Sequence, residues 1–551
     1  MLKVIPLGGL GEIGLNMMVF ECNDVILIVD AGIMFPENYM LGIDRVIPNI
    51  SYIRENKSKV KAIIITHAHE DHIGALPYLL KEINPTIYCT SFTKKVIANK
   101  LKEFGLGSKA CLKTITLSQT LTIEPFNIEF IRVSHSTPDS VALAIHTLEG
   151  TIIHTGDFRI NHTAYKNNNT DIVKFAKFGA NKVLALFSDS TNAEREGYTI
   201  SEQNVAKNLD RYIESAKSRV VVAIFASNIF RIQQIIDIAV KNKRKVIFHG
   251  KSMEQMIEAA IELDYIKYPE DSVIDIKQAH KHKDSTILII TTGSQGEPMS
   301  ALSRMASGMH KHINIRKGDL IVMSSRYIPG NEKAIANIIN KFYKKGACVV
   351  YSKIAQIHAS GHAHQEELKL MIKLTQPKYF IPIHGAYSQL VMHSNIAKEL
   401  GIKEENVLIA NNGDLIEFSD KKASIKIDNV QTSKILVDGK GIGDVGRSVL
   451  KQRQELSEGG LVVVSIIFDY ESDIVLHGPQ LISKGFVFDP DTGYLIDDAQ
   501  CVILEILEDM DIRTNGLKIE ELEKRLRTVL RQYFNFTINR KPLIVPVIIQ
   551  V

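Results

Sequence analysis

The chain has 551 residues, 45% of them hydrophobic and 23% charged, with a formal net charge of +4. That composition suits a soluble globular protein of roughly three or four domains at about 150 residues each, and the charge is too mild to imply nucleic acid except through local basic patches. Five scattered cysteines (Cys22, Cys89, Cys111, Cys348 and Cys501) show no CxxC spacing, which excludes a thiolate metal site and a disulfide framework.

Taken in chain order, the start Met1-Leu2-Lys3-Val4-Ile5-Pro6-Leu7-Gly8-Gly9 is broken by Pro and Gly before a signal sequence can form. No apolar run is long enough to span a bilayer, so a reducing cytoplasm is the expected location. The run 25–29 reads as a strand ending at Asp30. Ala62-Ile63-Ile64-Ile65 reads as a buried strand, and Thr66-His67-Ala68-His69-Glu70-Asp71-His72 follows it directly. Imidazoles and a carboxylate packed this closely suit zinc or a similar divalent ion. His67 and His69 alternate and can face one way, whereas Asp71 and His72 come after a turn and can face a second ion. The run 128–133 ends at Ser134-His135-Ser136, 151–153 at His154-Thr155-Gly156-Asp157, and 183–187 at Ser188-Asp189-Ser190. Polar groups at the carboxyl ends of strands are where open α/β sheets place their sites; any one of these aspartates could instead cap a helix.

A second texture runs from about 201 to 354, where the apolar runs 220–225, 246–248, 287–290, 320–323 and 348–351 alternate with amphipathic stretches such as 229–240. It predicts a compact doubly wound α/β domain. Histidine-bearing loops then return in His358-Ala359-Ser360-Gly361-His362 and in Ile383-His384-Gly385. The simplest organisation is an α/β first domain (1–200 and 356–420) interrupted by an inserted one (201–355), then a linker (421–446) and a small α+β tail (447–551). The Gly-rich run Asp438-Gly439-Lys440-Gly441-Ile442-Gly443-Asp444 lacks GxxxxGK[ST] and reads as a turn or clamp. In the tail, a strand over 461–468, a helix over 519–533 and a closing strand over 543–551 are predicted.

The series Asp30, His67-x-His69-x-Asp71-His72, His135 and Asp157 resembles the metallo-β-lactamase fold. Ser188-Asp189-Ser190-Thr191-Asn192-Ala193-Glu194, Ser360-Gly361-His362 and Ile383-His384-Gly385 resemble the three motifs of its β-CASP nucleic-acid-processing branch. Leu7-Gly8-Gly9-Leu10-Gly11-Glu12-Ile13-Gly14, Phe225-Ala226-Ser227-Asn228, Thr292-Gly293-Ser294-Gln295-Gly296-Glu297-Pro298, Ser483-Lys484-Gly485-Phe486-Val487 and Arg540-Lys541-Pro542 are similar to bacterial ribonuclease J, and the likeness runs from about residue 4 to the last. The resemblance implies an αββα sandwich core with an inserted β-CASP domain and a C-terminal domain used for dimerisation. It implies 5′-to-3′ exoribonuclease activity preferring a 5′-monophosphate on single-stranded RNA, endoribonuclease activity, and work in rRNA maturation and mRNA decay.

Carried over residue by residue, the resemblance puts one Zn²⁺ on His67, His69 and His135, another on Asp71, His72 and His384, and Asp157 between them, with Mn²⁺ or Mg²⁺ as alternative metals. Asp30 is expected to orient a histidine from behind. Asp189 is expected to orient near the site, and His362 to donate to the scissile phosphate or protonate the leaving oxygen. Ala226, Ser227 and Asn228, with His358, Ala359, Ser360, Gly361 and His362, are expected to hold the terminal phosphate; the start of a helix near 229 supplies free N–H groups for an anion. A structural Ca²⁺ near Leu41, Ile43 and Asp438 occurs in related proteins. His146, His154 and His162 read as structural or exposed, and His249 as loop polarity. The expected partners are single-stranded RNA, a second copy giving a homodimer or homotetramer, and a paralogue or RNA-degradation complex.

The chain departs from the pattern at Ala68, where Gly is usual, and at Lys484, where Arg is usual. The alternative readings are another β-CASP nuclease, a small-ester or thioester metallohydrolase on the same core, and a non-catalytic RNA-binding subunit. The inserted domain argues against the ester hydrolase, and the intact ligand set against a lost activity.

Overall fold

The computed structural model describes residues 1–161, 168–295, 297, 299–325, 331–469, 472, 474–487, 494–509 and 519–551. His162, Gly296 and Pro298, noted above, lie outside them. The chain divides into two units, one of residues 1–35 and 45–435 and the other of residues 36–44 and 436–551.

In the first unit, β-branched and aliphatic runs build two stacked sheets. The eight-stranded one runs Lys422–Lys426, Leu415–Ser419, Leu2–Gly8, Met17–Cys22, Val25–Val29, Val60–Ile64, Thr86–Cys89, Leu112–Thr114. The six-stranded one runs Tyr379–Ile383, Val183–Asp189, Gly150–His154, Val141–Thr147, Phe126–Arg132, Thr120–Ile123. Their facing side chains form one core that includes Phe20, Leu27, Ile64, Phe130, Leu143, Phe187 and Phe418, close-packed as two apolar sheet faces require. The far face of the six-stranded sheet is covered by helices Ile172–Ala180, Gln365–Thr375 and Tyr387–Glu399, through Phe175, Leu368, Met371 and Ile396.

The inserted segment lies within the stretch of chain between strands Val183–Asp189 and Tyr379–Ile383, which are parallel neighbours, with Asp189 opposite Ile383. Between them stands a wholly parallel five-stranded sheet in the order Lys245–His249, Ile287–Thr291, Val220–Ala223, Leu320–Met323, Cys348–Tyr351. Every apolar run predicted there is a strand, and the continuous burial of the three inner strands is what a parallel sheet covered on both faces demands. The expected linker 421–446 is only partly one, because Lys422–Lys426 is the edge strand of the large sheet.

The second unit has a sheet ordered Ile474–Lys484, Leu461–Asp469, Leu543–Gln550. Val462, Val464, Ile466 and Ile544 on one face pack against helices Leu495–Asp509 and Ile519–Ile538. Sequence patterning missed Ile474–Lys484, which carries Gly478-Pro479 in its middle, and the helix Leu495–Asp509. No helix among the described residues is long and apolar enough to cross a membrane.

Candidate metal centre

The site forms where the strands of both sheets end. Asp30 follows Val25–Val29, the histidine-rich loop follows Val60–Ile64, Asp157 follows Gly150–His154, Asp189 ends its strand, and His384 follows Tyr379–Ile383. Asp30 and His384 both take left-handed backbone, φ 63° and 51°. For a histidine that conformation is uncommon, and such departures concentrate at functional sites.

Three ring nitrogens converge on one point. His67 Nε2 and His135 Nε2 lie 3.0 and 3.1 Å from His69 Nδ1, and 3.4 and 3.7 Å from Asp157 Oδ2. A second group gathers on the other oxygen of the same carboxylate, with His72 Nε2 at 3.3 Å and His384 Nδ1 at 3.0 Å from Asp157 Oδ1. Asp71 Oδ2 closes that group, 3.6 Å from His72 Nε2 and 3.4 Å from His384 Nε2. Each oxygen of Asp157 thus serves a different set of ligand-type atoms.

The donor chemistry fits metal. Asp157 Oδ1 and His384 Nε2 are buried with no hydrogen-bond partner, a costly state unless something else satisfies them. Burial, with the neighbouring rings adding to it, keeps His67 and His135 well below the usual histidine range, and burial holds His69 down at about 4. Neutral imidazole is the ligating form. Burial opposes charge on Asp157, but His384, His72 and His67 outweigh it and hold the carboxyl well below the carboxylate range. Burial likewise opposes protonation of His72 and His384, yet Asp157 leads a set of partners that raises both.

The outer nitrogens are held in turn. Asp30 accepts from Thr66 N–H (2.8 Å) and Thr66 Oγ1 (2.9 Å), and its Oδ2 takes His72 Nδ1 at 2.7 Å. His67 Nδ1 meets Thr66 Oγ1 at 3.0 Å, and His135 Nδ1 donates to the Gly361 carbonyl at 2.8 Å. A side chain at Gly361 would put its Cβ 2.6 Å from His135 Cε1, so that contact requires glycine. Asn16 lies in no motif of the sequence, and Thr66 and Thr191 carry no assigned role there. Asn16 Nδ2 donates to the Asp71 carbonyl at 3.1 Å, and Thr191 Oγ1 donates to Asp189 Oδ1 at 2.7 Å.

A third set stands beside the first two: His362 Nδ1 meets Asp189 Oδ2 at 2.8 Å and its Nε2 lies 3.9 Å from Asp157 Oδ2. Burial works against a charged His362, but the Asp189 and Asp157 carboxylates outweigh it and raise its pKa. Asn228 caps the helix Ile229–Lys241, its side chain accepting from Arg231 N–H; Ala226 precedes it with Ser227. Ser227 Oγ lies 3.0 Å from His69 Nε2. From the returning segment, Ser360 Oγ accepts from Asn192 at 2.8 Å and from His362 N–H at 3.1 Å, Ala359 is buried, and His358 Nδ1 is buried without a partner. Behind these loops the buried Glu202 carboxylate lies between Arg159 (2.8 Å) and Arg231. Arg159 also donates to the Ser360 carbonyl at 3.0 Å, and Arg231 to the Ile357 carbonyl at 3.1 Å.

The remaining histidines lie outside these sets. His154 Nδ1 accepts the Gly156 N–H, and His146 sits between Thr151 and Glu129. His249 is more than loop polarity: its Nε2 lies 2.8 Å from His310 Nε2, whose Nδ1 accepts two backbone N–H groups, so the proton between them belongs to His310. In the second unit, Leu41, Ile43 and Asp438 do not fit the expected calcium ion. The Arg453 guanidinium already donates to the Leu41 carbonyl at 2.9 Å and pairs with Asp438, supplying the positive charge.

Family models match nearly the whole chain: a metallo-beta-lactamase superfamily domain over residues 11–194, a ribonuclease J beta-CASP domain over 217–342, a Zn-dependent metallo-hydrolase RNA specificity domain over 349–409 and a ribonuclease J C-terminal domain over 448–551. The chain is 40% identical to ribonuclease J2 of Bacillus subtilis, over 100% of this chain and 98% of the relative. It is 40% identical to ribonuclease J 1 of Streptococcus pyogenes, over 99% and 97%, and 43% identical to ribonuclease J of Synechocystis, over 88% and 76%. A solved Enterococcus faecalis protein of unknown function shares the fold at 18% identity, with a TM-score of 0.56 over 75% of this chain and 99% of that one.

Proposed function

The chain belongs to the ribonuclease J family, a metal-dependent ribonuclease, and from that premise we propose that it degrades single-stranded RNA stepwise from a 5′-monophosphate end and also cuts internally, with two Zn²⁺ ions at the centre. The observation that carries this reading is Asp157, whose two oxygens face two separate ligand sets, His67, His69, His135 and Asp71, His72, His384. His67, His69 and His135 would hold one divalent ion and Asp71, His72 and His384 the other, with Asp157 shared, and ions held there would supply Lewis acidity and a more acidic water.

The chain's own groups do the rest. His362 holds a proton at Nε2 on the side of Asp157, with Asp189 fixing the opposite nitrogen; it protonates the departing 3′ oxygen. Ser227, Asn228 and Ser360, with the backbone of His358, Ala359, Gly361 and His362, take the terminal phosphate. Ser227 and Gly361 reach the metal histidines from opposite segments, on His69 and His135, whose ring centroids are 4.8 Å apart. A closed nest of donors suits one phosphate, and the further charges of a triphosphate would be buried without partners. The second unit offers a surface for a homodimer: Val463, Ile467, Ile482, Val547 and Ile549 stand on the sheet face away from the helices, and three of them are about half exposed, at 47%, 40% and 46%. Family membership supports maturation of ribosomal RNA and decay of messenger RNA in the cytoplasm as the setting.

The test is direct. Purified, zinc-loaded protein is incubated with 3′-labelled single-stranded RNA carrying a 5′-monophosphate, triphosphate or hydroxyl. A one-nucleotide ladder shortened from the 5′ end, fastest for the monophosphate, is expected. No cleavage of any of the three, or stepwise loss from the 3′ end, overturns the reading.

A further inference from the structure

His69 is the one ligand of its set that turns Nδ1, not Nε2, toward the others. A nitrogen bound to metal carries no proton, so the neutral ring keeps its proton on Nε2. That N–H points at Ser227 Oγ (3.0 Å) and is shared with Ser136 Oγ (3.2 Å). His67, His72 and His135 are held from behind by Thr66, Asp30 and Gly361, all outside the inserted segment. His69 is held in part by Ser227, which stands just before the cap of that segment's helix Ile229–Lys241. With its oxygen accepting from His69, the Ser227 hydroxyl has its own proton left to give.

We propose that Ser227 is a positioning residue that joins the metal centre to the end-binding pocket: its oxygen accepts from His69 while its proton goes to the terminal phosphate, so phosphate and the ion on His67, His69 and His135 strengthen one another. This rests on the reading of Ser227 as a phosphate ligand given above. A hydroxyl donating to an anion is polarised and becomes a better acceptor. A stronger acceptor on Nε2–H makes Nδ1 a more basic ligand. Coupling in one direction requires equal coupling in the other.

The experiment measures zinc affinity of the full chain by competition with a chromogenic chelator, alone and with uridine 5′-monophosphate or uridine. The nucleotide should tighten one of the two ions by roughly 5-fold or more, at the low end of typical coupling, and uridine should not. Ser227→Ala should weaken the same ion by about 10-fold and abolish the nucleotide effect. Ser227→Thr, which keeps the hydroxyl, should restore both, which a merely structural role would not do. Wild-type zinc affinity in Ser227→Ala, or an equal nucleotide effect in that variant and the parent, overturns the proposal. The nucleotide-against-uridine comparison on the unaltered chain tests it without any variant, and an equal effect of the two overturns it. A chain that binds no zinc at all overturns the two-metal reading instead, and is told apart by that result.

Discussion

His362 Nδ1 lies 2.8 Å from Asp189 Oδ2, while the other ring nitrogen faces the shared carboxylate Asp157. One aspartate therefore orients the ring and the other marks where it points. His362→Ala should lower kcat by about 10²–10⁴-fold, the range for a lost general acid, with metal content unchanged by elemental analysis. Asp189→Asn should lower kcat less and leave KM close to the parent. A variant that lost zinc together with activity would show that His362 is a ligand and not a proton donor.

Asp157→Ala should release both ions, because each oxygen serves one set. His384→Ala should weaken mainly the set completed by Asp71 and His72. Zinc per chain after equal dialysis checks this, and equal losses in both variants would contradict the division.

Glu202 is a buried charge outside the centre. Burial pushes its carboxyl up, but Arg231 and Arg159 outweigh that and hold it down at about 2. Its folded pKa is depressed, so its contribution to stability is complete above the unfolded value near 4.5 and is lost as pH falls toward about 2. Glu202→Gln leaves two buried guanidinium groups short of their counter-charge and should cost about 3–5 kcal/mol at neutral pH. In urea unfolding, the gap between parent and variant should close between about pH 5 and pH 2. A gap that stayed constant through that window would place the carboxylate's charge elsewhere.

Ile482→Lys or Val547→Asp should turn a dimer into a monomer by light scattering while the second unit stays folded. Both side chains lie on the sheet face opposite the core of Val462, Val464 and Ile466. An unchanged mass for both would remove that face as the interface.

The sequence was most readable where chemistry is local. His67, His69, Asp71 and His72 sit in one short loop after an unmistakable buried strand, and the inserted segment's five apolar runs are legible because its three inner strands are buried throughout and its two edge strands keep a buried centre. The contact of Ser227 with His69 and the Glu202 bridge between Arg159 and Arg231 join residues far apart in the chain, and no periodicity encodes such pairs. Ser227 and Asn228 are neighbours in the chain with different local roles: Asn228 caps the helix and Ser227 contacts His69. Lys422–Lys426 escaped because an edge strand with alternating exposed lysines has little apolar pattern to detect.

The placement of His384 also sets an order of events during synthesis. A chain emerging from the ribosome presents His67, His69, His135 and Asp157 long before the inserted segment is finished, while His384 comes only after it. At ordinary translation speeds that delay is on the order of tens of seconds. During it the nascent chain has one complete ligand set and one lacking its last member, together with an unpaired strand edge at Val183–Asp189 awaiting Tyr379–Ile383. The strand edge at Val183–Asp189 and the group around Asp71 and His72 are thus completed together, by one stretch of chain, and only after the whole insertion has been made.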